Sequence, residues 1–179
     1  MYLQGLGGGD GQSAIIDDLY ILDNVDSGIA GMPNDDFLGD VRVEVIRPSG
    51  NGNSSDWIGQ DANSTDNYLN VDETTPDGDT TYNESDVVDD KDTYAYSNLS
   101  TVSGTVYGVL PTPYIRKTDS GTREFASVAR LSTTEDDGPS TPLSTSYQYL
   151  QNALDGNPDG DPWTIADVNS AEFGPKVTV

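Results

Sequence analysis

The stretch that most resembles a chemical site is an acidic loop near the C-terminus, Asp155-Gly156-Asn157-Pro158-Asp159-Gly160-Asp161. Oxygen-bearing side chains at alternate positions, with a glycine at the sixth, match the front of a calcium-binding loop. The ligands of such a site would be Asp155, Asn157, Asp159 and Asp161. The bidentate Glu expected at the twelfth position is missing, because Ala166 stands there, and Pro158 stiffens the loop. An ordinary acidic turn is therefore the favoured interpretation, and calcium binding is the alternative.

Histidine and cysteine are both absent from the chain. Without histidine, the chain lacks the usual general base and the commonest zinc ligand. Without cysteine, it can form neither disulfides nor thiolate metal sites. Pairs of carboxylates at the spacing of glycoside hydrolases carry little information in a chain with 31 acidic residues. We therefore expect a protein with no catalytic residues and no cofactor other than calcium, and a glycoside hydrolase is the enzymatic alternative.

Aromatic residues offer a different kind of site. The chain contains 2 tryptophans and 10 tyrosines, and such side chains can form a platform on which sugars stack. Single large aromatics in an all-β domain are more often core or loop anchors, and we favour that interpretation for Trp57 and Trp163. The alternative function is a carbohydrate-binding, host-adhesion module in which tyrosines and the Asp155–Asp161 loop form a calcium-assisted sugar site. Such a module needs two or three aromatics on one exposed face, which the sequence pattern does not indicate.

The net charge of the chain excludes some classes of binding partner. It carries 31 acidic and 8 basic residues, a net charge of −23. A surface of this charge repels nucleic acid and anionic lipid, so neither is expected as a direct partner. No window is long and apolar enough for a membrane span, and the N-terminal residues do not resemble a signal peptide. The abundance of aspartate fits many turns between strands, and adaptation to high salt is the alternative explanation.

The longest strand signal is the stretch Gly104–Leu131, around which we expect the fold to be organised. Two runs rich in β-branched and aromatic residues flank the polar segment Lys117–Gly121, which has the chemistry of a turn. This pattern predicts the central hairpin of an antiparallel sheet. Pro111 and Pro113 place two missing N–H groups on the same side of the first run, which predicts a sheet edge or a bulge there.

Shorter strand signals occur along the rest of the chain. Val41, Val43 and Val45 alternate with polar residues, which makes Asp40–Arg47 the clearest half-buried strand. Thr133–Pro142 is predicted to be a loop, and Leu99 a buried anchor. Further strands are predicted at Ile15–Asp23, Tyr68–Val71, Thr80–Asn83, Thr93–Tyr96, Ser144–Leu150 and Lys176–Val179.

One helix is predicted, at Ile165–Ser170, with Thr164 as its N-cap. About eight short strands with almost no helical periodicity indicate an all-β fold. We therefore expect an antiparallel β-sandwich or jelly roll with long acidic loops and one short helix near the C-terminus. The expected organisation is a glycine-rich arm at residues 1–14 and a single domain at residues 15–179.

Seven segments of the chain match, in order, the pattern of a known family: Asn34–Gly52, Val71–Tyr82, Asp90–Tyr96, Gly104–Val109, Arg116–Phe125, Leu143–Tyr149 and Pro162–Val177. Together they resemble a family of tailed-virus structural proteins, usually described as minor structural, tail or head proteins. The resemblance runs from about Ile15 to Val177, and Gly7–Ile21 is similar to the last strand of the concanavalin-like jelly roll found upstream in longer relatives. The family pattern has no Pro-Thr-Pro at Pro111–Pro113.

The resemblance implies a non-enzymatic protein on the outer surface of a virion. It would decorate the capsid or associate with the tail, and we place the head ahead of the tail. Its partners would be the major capsid protein or the tail proteins. A virion component packs in symmetric copies, so we expect a homo-oligomer and take a trimer as the working symmetry. The resemblance carries over no catalytic residue.

Overall fold

The computed structural model describes Gly31, Leu38 and residues 41–179. The predicted glycine-rich arm and the predicted strand Ile15–Asp23 lie outside the described residues. The described part contains a 3₁₀ helix (Asn67–Asn70) and one α-helix, α1 (Ile165–Ser170). Its strands are β1 (Pro48–Ser55), β2 (Ile58–Gly59), β3 (Asn83–Glu84), β4 (Asp92–Tyr96), β5 (Tyr114–Ile115), β6 (Glu124–Leu131), β7 (Thr134–Asp137), β8 (Thr141–Pro142), β9 (Gln148–Tyr149) and β10 (Glu172–Val177).

One six-stranded antiparallel sheet dominates the described residues. Its strand order is β1-β4-β10-β6-β7, and β8 also pairs with β6. Two ribbons of two strands each, β2 with β3 and β5 with β9, lie outside this sheet. The expectation of an all-β antiparallel fold with one short helix near the C-terminus is confirmed.

β6 is the strand with the most partners, since β10, β7 and β8 all pair with it. Its sequence alternates between two faces, with Phe125, Ala129 and Leu131 buried on one and Arg130 half-buried on the other. β10 runs antiparallel to β6 in unbroken register from Glu172 opposite Arg130 to Val177 opposite Phe125. The second run of the predicted hairpin is therefore a strand of the main sheet.

The predicted pairing of the hairpin is wrong. Tyr114 and Ile115, from the first run, pair with β9 instead of β6. Pro111–Pro113 belong to no strand, and before them the first run forms only an isolated bridge between Val109 and Leu154. Two prolines remove the N–H groups that a continuous strand would need, so the first run ends its pairing there and resumes in a different ribbon.

The main core lies between the large sheet and the segment that contains α1. Trp163, Leu154 and Val168 pack against sheet residues that include Ala129 and Phe173. The ring centroids of Trp163 and Phe173 are 5.8 Å apart, and Trp163 Nε1 donates to the carbonyl oxygen of Leu154 at 3.1 Å. Burial of each of these large side chains stabilises the fold by roughly 1.5–3 kcal/mol. The interpretation of Trp163 as a core anchor is confirmed.

The helix α1 begins and ends where the sequence predicts. Thr164 is its N-cap: Thr164 Oγ1 accepts from the N–H of Asp167 at 3.1 Å, and the N–H of Thr164 donates to Asp167 Oδ2 at 3.0 Å. This reciprocal capping box satisfies backbone donors that a six-residue helix cannot satisfy by itself. Val168 then lies on the buried side of α1.

The predicted strand Asp40–Arg47 is wrong, since residues 41–47 form no strand. Its valine face is also turned the wrong way, because Val43 and Val45 are 58% and 68% exposed. Two of the alternate residues face inwards instead, while Arg42 is exposed. Ile46 packs on the core, and Glu44 accepts hydrogen bonds from the Ser100 N–H and, at 3.0 Å, from Thr101 Oγ1. These hydrogen bonds lower the pKa of Glu44 to about 2. The charge-assisted hydrogen bonds of Glu44 thus help to turn the Glu44 side of residues 41–47, and not the valine side, towards the protein.

The long strand β1 has the sequence PSGNGNSS, which hydropathy alone assigns to a loop. Its register with β4 is irregular. Small residues are needed here because a Cβ on Gly52 would lie 2.5 Å from Thr93 Oγ1 and 2.6 Å from the Thr93 carbonyl oxygen. Close approach of two backbones therefore sets the composition of this strand.

Other predictions differ in part. The predicted loop Thr133–Pro142 contains β7 and β8, because the chain turns back at Ser132, which has a φ of 55°. The predicted strand Tyr68–Val71 is a 3₁₀ helix, and Leu99 is half-buried against the core. Thr93–Tyr96 is confirmed as a strand within β4, whereas three predictions survive only as the shorter or shifted elements β3, β9 and β10.

Candidate functional site

A cleft of about 990 Å³ lies over one half of the large sheet. Its floor includes Phe125, Pro175 and Val177, which lie on the same face of β6 and β10 as the core. The segments 76–79 and 111–119 contribute to its wall. This volume falls within the range of small-molecule and cofactor sites, roughly 300–1,000 Å³. The cleft is the larger of the two concave regions found among the described residues.

Three tyrosines form a stacked group at the cleft, which we call the tyrosine ladder: Tyr114, Tyr147 and Tyr149. Tyr114 lies opposite Tyr149 in the β5–β9 ribbon, and their ring centroids are 4.7 Å apart. Tyr147 stacks on Tyr114 at 4.8 Å with an interplanar angle of 12°. Tyr149 is 58% exposed and Tyr114 38% exposed, so the ladder presents aromatic surface to solvent.

A charged network fixes the inner end of the tyrosine ladder. Asp79 Oδ1 accepts from Tyr147 Oη at 2.8 Å and from Arg116 Nη2 at 2.7 Å. The guanidinium carbon of Arg116 lies 4.8 Å from the Tyr147 ring centroid, the geometry of a cation–π contact. Hydrogen bonds from Tyr147 and Arg116 lower the pKa of Asp79, and burial raises the pKa of Tyr147. The charge nearest to the ladder is therefore neutralised locally.

The other basic residues that line the cleft also contact acceptor groups of the chain. Arg123 Nη2 lies 3.0 Å from Asp119 Oδ2, and Lys117 Nζ donates to the carbonyl oxygen of Gly121. Among the described residues that line the cleft, nine are acidic and three are basic, namely Arg116, Lys117 and Arg123. The cleft is thus rich in acceptors and excludes anions by charge.

The predicted calcium loop lies in a different place. Its residues Asp155, Asn157 and Gly160 line a separate depression of about 480 Å³, and no residue lines both this depression and the cleft. The structure therefore does not bring the loop and the tyrosine ladder into one sugar site, because the loop lies beside the β7 end of the sheet, next to Asp136 and Asp137.

The interior of that loop is organised by one amide. Asn157 is 8% exposed, and its Oδ1 accepts from the N–H groups of Asp159 and Asp161, each at 3.0 Å. Asp159 and Asp161 themselves are exposed. Within the described residues, no group of three or more acidic side chains is arranged to hold a metal ion. The geometry is that of an Asx-stabilised turn, and calcium binding by Asp155, Asn157, Asp159 and Asp161 stays a prediction.

A second polar group is buried beneath the cleft. Asp92 is 0% exposed and accepts hydrogen bonds from the Trp57 N–H at 2.9 Å, Asn67 Nδ2 at 2.6 Å and Tyr94 Oη at 3.0 Å. Asn83 Nδ2 in turn donates to Tyr94 Oη at 2.9 Å. Burial is the main cause that raises the pKa of Asp92. This network ties the loop of residues 56–67 to β4, and Trp57 (7% exposed) is the anchor of that loop.

Charged side chains cross the other face of the large sheet. Arg130 lies between two carboxylates, with Nη1 at 3.1 Å from Glu172 Oε1 and Nε at 3.5 Å from Glu135 Oε1. Glu135 also contacts Lys91, and Lys176 Nζ lies 2.8 Å from Asp137 Oδ2. These pairs join β10, β6 and β7 to one another, and Lys91, which directly precedes β4, to β7.

No lysine or arginine is left without an acidic or carbonyl contact. All eight lie within residues 41–179, and each contacts a carboxylate or a backbone carbonyl of the chain. The carboxylates outnumber them almost fourfold, so most acidic side chains have no cation to pair with. The chain therefore carries a large excess of negative charge.

The tyrosine ladder was missed at the sequence level, although a signal for it exists. Tyr114 and Arg116 are two residues apart, as are Tyr147 and Tyr149, and this spacing places each pair on one face of a strand. The two strands are 32 residues apart in the chain, and Pro113 directly precedes the first of them. The pairing of these two strands could not be predicted from the sequence, because it depends on Pro111 and Pro113 ending the pairing of the stretch before Tyr114.

Comparisons with known proteins identify no relative. No protein-family model matches the chain, no curated protein is similar to it, and no solved structure matches its fold. None of the helices formed by the described residues has the length and apolar character required to cross a bilayer.

Proposed function

We propose that this protein is a non-enzymatic structural component of a tailed virus, placed on the outer surface of the virion. It decorates the capsid or associates with the tail, and the head is the favoured location. The observation that carries the proposal is the excess of 31 acidic over 8 basic residues, and each basic residue already contacts a carboxylate or a backbone carbonyl of the chain. A surface of this kind stays hydrated, repels the packaged genome and can meet a less acidic capsid or tail protein.

The two outer strands of the sheet support a role as a discrete building block. The 3₁₀ helix packs along β1, where the N–H of Tyr68 donates to Asn51 Oδ1 at 3.2 Å. The opposite outer strand, β7, carries three successive acidic residues, Glu135, Asp136 and Asp137. Covered and charged edges discourage uncontrolled sheet-to-sheet association. Assembly with the major capsid protein, the tail proteins or further copies then uses loops and polar surfaces.

The test is the location of the polypeptide in purified particles. Mass spectrometry of virions banded in a density gradient should detect it in many copies, and labelled antibodies should bind intact particles on the head. Absence of the polypeptide from infectious particles, or labelling only after particle disruption, contradicts the proposal. Light scattering of the free protein at several salt concentrations tests the expected homo-oligomer, for which a trimer is the working symmetry.

A further inference from the structure

We propose that the cleft and the tyrosine ladder form a binding site for a neutral oligosaccharide. The proposal concerns the free chain and stands independently of a place in a virion. Its starting point is aromatic exposure: Tyr149 is 58% and Tyr114 38% exposed, although their rings contact each other at a tilt of 40°. Exposed, pre-stacked tyrosines lose little conformational entropy on binding, and their flat faces suit the less polar C–H face of a sugar ring.

The stack is held in place before any ligand arrives. Tyr147 donates a hydrogen bond from its hydroxyl group to the exposed carboxylate of Asp79, and the guanidinium of Arg116 covers one side of its ring. Tyr114 rests on Tyr147, and Tyr149 rests on Tyr114. Each tyrosine ring is thus oriented by its neighbour, and the last ring, Tyr147, is held by the network that it forms with Asp79 and Arg116. Such preorganisation reduces the entropy cost of binding.

The cleft supplies the second requirement, acceptors for sugar hydroxyl groups. Tyr114 and Tyr147 line its wall together with Asp77, Asp79 and Thr112. Tyr149 does not line the cleft and extends the aromatic surface outwards from Tyr114. A volume of about 990 Å³ lies at the upper end of the range of small-molecule sites and has room for several linked sugar rings.

The charges of the cleft decide between classes of ligand. Its lining is acidic on balance, so a sugar that carries carboxylate or sulfate groups is repelled. A cationic peptide would be attracted by the outer carboxylates, but Asp79, which is the carboxylate at the ladder, is already paired with Arg116. At the ladder itself, aromatic rings beside a paired carboxylate favour an uncharged, hydroxyl-rich ligand. The carboxylates elsewhere in the lining attract cations, so a cationic peptide is the competing ligand that the experiment includes.

The experiment is calorimetric titration of the full chain with four neutral hexasaccharides, namely cellohexaose, maltohexaose, mannohexaose and xylohexaose. Hexagalacturonate is the anionic counterpart, and hexalysine is the cationic one. We expect at least one neutral hexasaccharide to bind with a Kd below about 1 mM. Affinity should be the same with and without a chelator, because the Asp155–Asp161 loop lines a separate depression.

Substitutions at Tyr149 test whether oligosaccharide binding depends on the tyrosine ladder. Tyr149→Ala should weaken binding about tenfold, while Tyr149→Phe should keep most of the affinity because the ring face is retained. Val43→Ala is the matched control, since Val43 is also 58% exposed and does not line the cleft. Its affinity should equal that of the unmodified chain.

Several results would overturn the proposal. One is that none of the four neutral hexasaccharides binds below about 1 mM. Another is that Tyr149→Ala binds as tightly as the unmodified chain. A third is that hexagalacturonate or hexalysine binds more tightly than every neutral sugar. Because Tyr149 is largely exposed, the variant should fold, and its unchanged thermal midpoint is checked alongside.

Discussion

Glu172 accepts hydrogen bonds from three neighbours, and its contact with Arg130, at 3.1 Å between Oε1 and Nη1, joins the two most extensively paired strands of the sheet. Its other oxygen, Oε2, accepts from the N–H of Asn53 at 2.7 Å and from Thr93 Oγ1 at 2.8 Å. One carboxylate therefore contacts β1, β4 and β6 from its position on β10. Arg130 and Glu172 are each only 18% exposed, so solvent screens this contact weakly.

We expect Glu172→Ala to lower the free energy of unfolding by about 2–4 kcal/mol, because it leaves Arg130 and two donors without their acceptor. Glu135→Ala removes a more exposed partner of the same arginine and should cost about 1 kcal/mol or less. Urea unfolding of both variants measures the difference. Equal losses in the two variants would show that Glu172 has no special role.

A pair of glycines on β1 gives a second prediction. A Cβ at position 52 would lie 2.5 Å from Thr93 Oγ1, whereas a Cβ at position 50 would lie 3.9 Å from the Cβ of Ala95. Gly52→Ala should therefore destabilise the protein by about 1–3 kcal/mol, since β1 and β4 must move apart. Gly50→Ala should be neutral or slightly stabilising. Thermal unfolding of the two variants is the test, and a similar midpoint for both would contradict the close approach of β1 and β4.

The buried carboxyl of Asp92 predicts a dependence of stability on pH. Burial raises its pKa above the ordinary value of 3.8, so the folded protein binds a proton more readily than the unfolded chain. The contribution of Asp92 to the free energy of unfolding is thus greatest below about pH 4 and falls as pH rises through the folded-state pKa. Asp92→Asn removes this dependence.

We therefore expect the stability of Asp92→Asn, relative to the unmodified protein, to improve between pH 4 and pH 7. Denaturant titrations at unit pH intervals measure this difference. Asp136→Asn, at an exposed position on β7, is the control for the change in net charge. A difference that does not vary with pH would mean that Asp92 is as readily ionised in the folded protein as in the unfolded chain.

The acidic loop Asp155–Asp161 gives one prediction about stability and one about calcium binding. Asn157→Ala should cost about 1–3 kcal/mol, because the Oδ1 of this buried side chain accepts from two backbone N–H groups of the turn. Asp159→Asn, at an exposed position, should change stability by about 0.5 kcal/mol or less.

If the loop is an acidic turn, millimolar calcium should leave the thermal midpoint unchanged relative to chelator. A clear rise in the midpoint that Asp159→Asn abolishes would instead support calcium binding by Asp155, Asn157, Asp159 and Asp161.

The sequence predicts the all-β class, α1 with its cap, β4 and β6, because each depends on local periodicity or capping chemistry. It fails where distant contacts decide the outcome. β1 looks like a loop in part because Gly52 serves close packing against Thr93. The valines of residues 41–47 look buried because the anchor of Glu44 lies more than 50 residues away. The tyrosine ladder could not be predicted for the same reason. Tyr114 and Tyr149 lie opposite each other only because the chain after Pro113 pairs with β9 and not with β6.

The two faces of β10 have different structural duties. Pro175 and Val177 point towards the cleft, while Glu172 and Lys176 alternate with them on the opposite side. A substitution at Pro175 or Val177 would therefore reshape the floor of the cleft and leave the ion pairs of Glu172 and Lys176 in place. Alternate positions of one six-residue strand thus serve a concave surface on one side and the ties between neighbouring strands on the other.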